Sequence, residues 1–234
     1  MKGPIKLIVL VHFALLLGMV GSPTGMAWRQ SLTLDQILNR MDQRGATLKS
    51  MSSSISQRRW TDILEEFDEG ESGYLHFLKE KDKVYLRKDI PEPQRNTLIV
   101  RDGEVLYYQP KIKQLQKYNL GKNKDRAEFL LLGFGSDKQV LQNTYDIRLI
   151  AKEEIHRVET YQLELTPISD QVSAFFSKIN LWIDTTLWVP IQQKLVEPTG
   201  DYLLINFSDI ELNAEVPRSK FDLKISEDVR IVGQ

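Results

Sequence analysis

The chain has 234 residues, 41% hydrophobic and 27% charged, with 31 basic against 32 acidic side chains and no cysteine. A balance of −1 lacks the basic footprint of a nucleic-acid binder. The missing cysteine excludes thiol catalysis, disulfide staples and a lipid anchor built on a cysteine, so the fold must be held by packing.

Met1-Lys2-Gly3-Pro4-Ile5-Lys6 supplies a basic start, Leu7 to Val20 an apolar core, and Gly25-Met26-Ala27 a small-x-small cleavage signature before Trp28. The apolar stretch is shorter than the roughly 18 to 20 residues that span a bilayer. Residues 1–27 are therefore expected to be an export signal cleaved after Ala27, and 28–234 one domain that works outside the cytoplasm. An exported chain without disulfides fits the bacterial periplasm. Loss of Lys2 and Lys6 moves the balance to −3.

The remaining chain opens with an amphipathic helix. Thr33 is placed as N-cap, Gln36 as its capping-box partner, and Leu32 with Ile37 as a hydrophobic staple. Leu34, Ile37, Leu38 and Met41 fall at i, i+3, i+4 and i+7, and Gly45 is the expected stop.

From about Ser50 the pattern changes to short runs rich in Val, Ile, Leu, Thr and Tyr between turn residues, which predicts an antiparallel meander. Strands are expected at Ser52 to Trp60, Ser72 to Leu78, Val84 to Lys88, Thr97 to Arg101, Glu104 to Tyr108, Gln114 to Tyr118, Tyr145 to Ala151, Val158 to Thr166, Lys178 to Asp184, Pro190 to Glu197 and Tyr202 to Glu211. Asp102-Gly103 has the chemistry of a type I′ hairpin turn.

Two greasy segments interrupt the meander. Asp125 to Phe134 reads as a short helix with almost no polar face, carrying Phe129, Leu130, Leu131, Leu132 and Phe134. Ser169 to Phe176 reads as another, with Val172, Phe175 and Phe176. Such helices need cover on more than one side. The Tyr202 strand also has apolar residues on both faces: Leu203, Ile205 and Phe207 on one, Tyr202, Leu204 and Ile210 on the other. Something must cover the second face. A curved sheet wrapped round its helices satisfies this, and periodicity leaves open whether they fill the hollow or leave a ligand cavity.

No pattern supplies an activated nucleophile, a metal site or a phosphate loop, so neither a cofactor nor catalysis is expected. After cleavage only His76 and His156 remain, the first on a strand face and the second in the charged turn 152–157. The run Glu65-Glu66-Phe67-Asp68-Glu69-Gly70-Glu71 lacks the ligand order of a calcium loop and reads as a hydrophilic hairpin loop.

Taken in order, the leading helix, Gly73-Tyr74-Leu75, the stretch from Thr97 through Asp102-Gly103 to Tyr107-Tyr108-Gln109-Pro110, Leu181-Trp182-Ile183-Asp184, Val189-Pro190-Ile191 and a final Phe221 resemble the periplasmic outer-membrane lipoprotein carriers, the LolA family. The resemblance implies an open antiparallel β half-barrel capped by a helical lid, a mainly β fold whose apolar concave face shields lipoprotein acyl chains, or another lipid, in the periplasm. It implies an inner-membrane transporter and an outer-membrane acceptor as partners and a monomeric carrier. Phe129, Leu130, Leu131, Leu132 and Phe134 would then form the lid with Phe175 and Phe176, and Trp182, Leu203, Ile205 and Phe207 the concave wall. In these carriers a Lys-Arg-Pro turn supplies an arginine that locks the lid. The matching stretch here is Lys79-Glu80-Lys81, so Glu80 stands at the arginine position and Arg87 is the candidate substitute. A lipid-sensing module of the same fold is the alternative, although such sensors carry a second domain for which little chain remains after Phe221.

Overall fold

The computed structural model describes residues 32–81, 83–119, 132–135 and 137–233. The expected export signal and its cleavage site at Ala27 lie outside them, as do residues 120–131 with Phe129, Leu130 and Leu131.

Helix α1 (Leu34–Thr47) begins with the full capping box: Gln36 N–H donates to Thr33 Oγ1, and the Gln36 side chain accepts from Thr33 N–H at 2.9 Å. Ile37, Leu38 and Met41 are buried along one stripe. Gly45 does not end the helix, which runs on to Thr47. Its hydrogen side chain serves a crossing instead, because a Cβ there would sit 2.8 Å from Gly135 Cα.

The strands are β1 (Ser50–Thr61), β2 (Glu66–Phe67), β3 (Glu71–Glu80), β4 (Lys83–Ile90), β5 (Asn96–Arg101), β6 (Glu104–Gln109), β7 (Gln114–Asn119), β8 (Tyr145–Ile155), β9 (Val158–Pro167), β10 (Lys178–Asp184), β11 (Pro190–Val196), β12 (Tyr202–Leu212) and β13 (Arg230–Gly233). Every predicted strand is present, while β2 and β13 are additions. The strands form one sheet in the order β13-β7-β6-β5-β4-β3-β1-β12-β11-β10-β9-β8, with β2 paired to β1. Its two ends do not meet. All ladders are antiparallel except that of β13 with β7, which is parallel. Asp102 and Gly103 have φ of 48° and 81°, as a type I′ turn requires, and His156 with Arg157 makes a second such corner at 52° and 69°. Two short α-helices follow, α2 (Lys138–Thr144), capped by the Asp137 carboxylate, and α3 (Asp170–Ser173), capped by Ser169, beside 3-10 turns at Asp62–Leu64, Pro110–Ile112 and Arg218–Phe221.

Both faces of the sheet are covered, by different means. On the inner face α1 packs against Leu163, Leu165, Ile179, Leu181, Ile183 and Leu195, all 6% exposed or less. On the outer face of β3–β7 lies the C-terminal segment. Val216 and Phe221 pack on Tyr85, and Leu223 with Val229 cover Ile99, Leu106 and Leu115. Arg87 fastens this segment: it pairs with Asp89 and donates to the carbonyls of Lys220 and Asp222.

One side assignment changes. The ladder between β1 and β12 shifts between Ser52 and Ser54, and Asp209 has φ of 51°. This bulge reverses the alternation, so Ile210 and Leu212 join the same apolar cluster as Phe207 instead of facing away from it.

Candidate functional site: the inner wall and its plug

Pairing fixes which side chains share a face. Ile179, Leu195 and Leu203 form one rung, Leu181, Gln193 and Ile205 the next, and Phe207 lies opposite Ile55. Leu203, Ile205 and Phe207 therefore stand on the wall covered by α1. Trp182 does not. It pairs with Gln162 and Gln192 on the opposite face, and its indole N–H donates to Glu153 at 2.7 Å. Strand β10 is buried on both sides, so hydrophobicity alone could not say which of its alternate residues face inward.

The segment 132–135 plugs the hollow between that wall and α1. Leu132 and Phe134 are 2% and 3% exposed. Leu132 packs into the cluster beneath α1, and the Phe134 ring meets Phe207 edge-on with centroids 4.9 Å apart. The Leu132 carbonyl accepts a buried hydrogen bond of 2.8 Å from Gln193 Nε2. Gly133 and Gly135 have φ of 85° and 78°, and a Cβ on Gly133 would come within 2.5 Å of the Pro190 ring. Only glycine lets the backbone turn twice in so narrow a space. Phe129, Leu130 and Leu131 precede this plug but lie outside the described residues. Phe176 packs partly buried against the α1 cluster, whereas Phe175 is 46% exposed on the turn after α3.

Neither candidate for the lid lock engages the plug. Arg87 is committed to Asp89 and the C-terminal segment on the outer face, and Glu80 faces Arg218 at 3.7 Å. Among the described residues, Gln193 supplies a polar hold on the plug. It was invisible in the sequence because a glutamine in an alternating strand reads as a solvent-facing residue.

Strands β11 and β12 are paired only up to Gln192 and Asn206, after which β12 continues alongside β1 alone. A cavity of about 710 Å³ occupies this seam. Phe207, Ile55, Leu187 and Ile191 contribute apolar surface, and Ser54, Ser56, Asn206 and His156 a polar margin. Phe207, Ile55 and Leu187 also belong to or pack against the inner cluster, so the seam reaches the wall that the plug covers. His76 takes no part. It sits on the rung between Ser52 and Arg87, with Nδ1 3.0 Å from Ser52 Oγ, and burial holds its pKa below the usual value. Among the described residues, no three His, Asp or Glu side chains gather as metal ligands.

The arrangement is suited to apolar contact. Comparisons agree on the architecture. An uncharacterized conserved protein from Thermus thermophilus matches with a TM-score of 0.53 at 12% identity, over 86% of this chain and 98% of that one. A structure of MucB matches with a TM-score of 0.51 at 16% identity, over 81% of this chain and 62% of that one. No curated protein matches in sequence. The family model of the outer membrane lipoprotein carrier protein LolA matches residues 73–224. This span runs from the glycine of β3 through the plug and wall to the C-terminal segment, and the chain belongs to the LolA family.

Proposed function

We propose that the protein is a periplasmic carrier that takes acyl chains of lipoproteins, or of another lipid, between its inner wall and α1, receiving them from an inner-membrane transporter and yielding them to an outer-membrane acceptor. The observation that carries this reading is the cover of the wall. A short glycine-flanked segment fills the hollow, where an ordinary β-sandwich would place a second sheet. Burying Leu132 and Phe134 contributes about 1.5–3 kcal/mol each. A chain of about 15 CH₂ groups contributes on the order of 12 kcal/mol. The incoming chain outweighs the plug, which then stands in for cargo when the carrier is empty. The seam beside Phe207 offers a way in. Such a task uses neither cofactor nor nucleic acid, and one copy of the chain suffices.

Titration of the purified protein with an environment-sensitive acyl probe tests this. Phe207→Asp puts a charge on the wall and should weaken binding at least about tenfold, since an unpaired carboxylate in apolar surroundings is costly. Unaltered affinity with an unaltered far-UV spectrum would remove Phe207 from the wall and the carrier reading with it. Loaded protein should pass a lipoprotein to outer-membrane vesicles; firm retention identifies a lipid-sensing module of the same fold instead.

A further inference from the structure

On the inner wall Ser53, Leu75, Lys88 and Leu98 stand side by side along one rung of β1, β3, β4 and β5. Lys88 is thus flanked by Leu75 and Leu98 across the sheet, and by Leu86 and Ile90 along its own strand, the latter two each 2% exposed. A lysine amid four aliphatic side chains is costly to keep. Its ammonium donates one hydrogen bond of 3.1 Å to Gln57 Oε1. Glu71 is held at one remove, accepting from Gln57 Nε2 at 2.8 Å, and Lys88 makes no ion pair among the described residues. Burial lowers the lysine pKa from its usual value, and the field of Glu71 opposes that fall. On the far side of Leu75, Ser53 Oγ is buried without a hydrogen-bond partner among the described residues. The two polar groups rise from strands about 10 Å apart. Gln57 and Glu71 adjoin Ser56 and Ser72, which line the seam cavity.

Among the described residues, an ammonium with two uncommitted protons and a hydroxyl with an uncommitted donor stand on one rung of the inner wall, donors for an acceptor-rich group. We infer that Lys88, assisted by Ser53, recognises the anionic headgroup, phosphate or carboxylate, of an amphiphile whose hydrocarbon lies on the inner wall. This rests on the carrier reading and adds to it the class of headgroup. In a site of low dielectric an ion pair of this kind discriminates strongly between charged and neutral heads. Glu71, separated by the Gln57 amide, keeps the lysine protonated while tempering the affinity for anions.

Calorimetric titration of the purified protein with dodecyl phosphate, dodecanol and inorganic phosphate tests the inference. Dodecyl phosphate should bind at least about tenfold more tightly than dodecanol, the range expected of a charged hydrogen bond. Lys88→Met should abolish that preference, leave dodecanol affinity unchanged and raise the melting temperature. Lys88→Arg should retain most of the preference, and Glu71→Gln should increase it. Equal affinity for the two dodecyl compounds in the unaltered protein, or an undiminished preference in Lys88→Met, overturns the headgroup role while leaving the carrier reading intact. Failure of both dodecyl compounds to bind overturns the carrier reading. Inorganic phosphate bound as tightly as dodecyl phosphate overturns recognition of an amphiphile.

Discussion

The two halves of the sheet both bury hydrophobic surface inside, but only one buries it outside as well. Over β9–β11 the weight lies inside: Leu163, Leu165, Ile179, Leu181 and Ile183 meet α1, and the outer side chains, such as Trp182 with Glu153, cover themselves. Over β4–β7 much of it lies outside, where the chain returns after β12 and lays Val216, Phe221, Leu223 and Val229 on Tyr85, Ile99, Leu106 and Leu115. One half is therefore held by the helix on its inner face, and the other by the tail outside and the cluster of Phe134 and Phe207 inside. The tail-covered half is packed on its inner face as well, where Leu86, Ile90 and Val100 join the cluster of Phe134 and Phe207. Lys88 stands on that inner face, with Ser53 and Gln57 near it on β1.

The strongest way to break this comparison is to empty each core in turn. Phe221→Ala, 1% exposed, should cost about 3–5 kcal/mol in denaturant unfolding, and Leu181→Ala, 0% exposed, about 2–5 kcal/mol. If the halves are as separate as their clusters indicate, the double variant should cost the sum within about 0.5 kcal/mol. A large coupling would show a single core. Phe134→Ala sharpens the contrast between plug and wall. It should cost about 1.5–3 kcal/mol, less than Phe221→Ala because the site is built to be vacated, and should tighten binding of an acyl probe by removing the competitor. Weaker probe binding would make Phe134 part of the site instead of its occupant.

The smallest effect concerns acid. Burial works against ionisation of Asp89, yet hydrogen bonds from Arg87 and Thr97 outweigh it and hold the pKa below the usual carboxylate value. A pKa depressed in the folded state stabilises above the unfolded value of about 4, and that contribution is lost as pH falls through the folded value. Asp89→Asn should therefore flatten the acid side of the stability profile below about pH 4 and weaken attachment of the tail. A profile unchanged by the substitution would detach Asp89 from that role.

Local chemistry made most of the fold legible. The capping box at Thr33 and Gln36, the Asp102-Gly103 corner and the alternation of the long strands are all written within a few residues of each other. What could not be read depends on partners distant in sequence. Gly45 resembles a helix stop and is a crossing point for Gly135. Strand β13 exists because β7 offers a free edge more than 100 residues earlier, with Arg230 opposite Gln114. Trp182 took the wrong side because β10 is buried on both. Leu132 and Phe134, read as the end of a covering helix, are buried in a turn, and the polar hold on that turn, Gln193, could not be read. Lys88 was the hardest to find, since a charged residue at the end of a predicted strand ordinarily points to water.

A sheet whose ends never join must live with two bare edges, and unpaired strands invite others to add to them. The β8 edge carries Asp146, Arg148, Lys152, Glu153 and Glu154 and is bent at the bulge beside Ile150, while the β13 edge is only four residues long. Stacking a second copy onto β8 would bring like charges together on a kinked border. An unclosed ring keeps borders of this kind, and here charge and a kink guard the border against the addition of another strand.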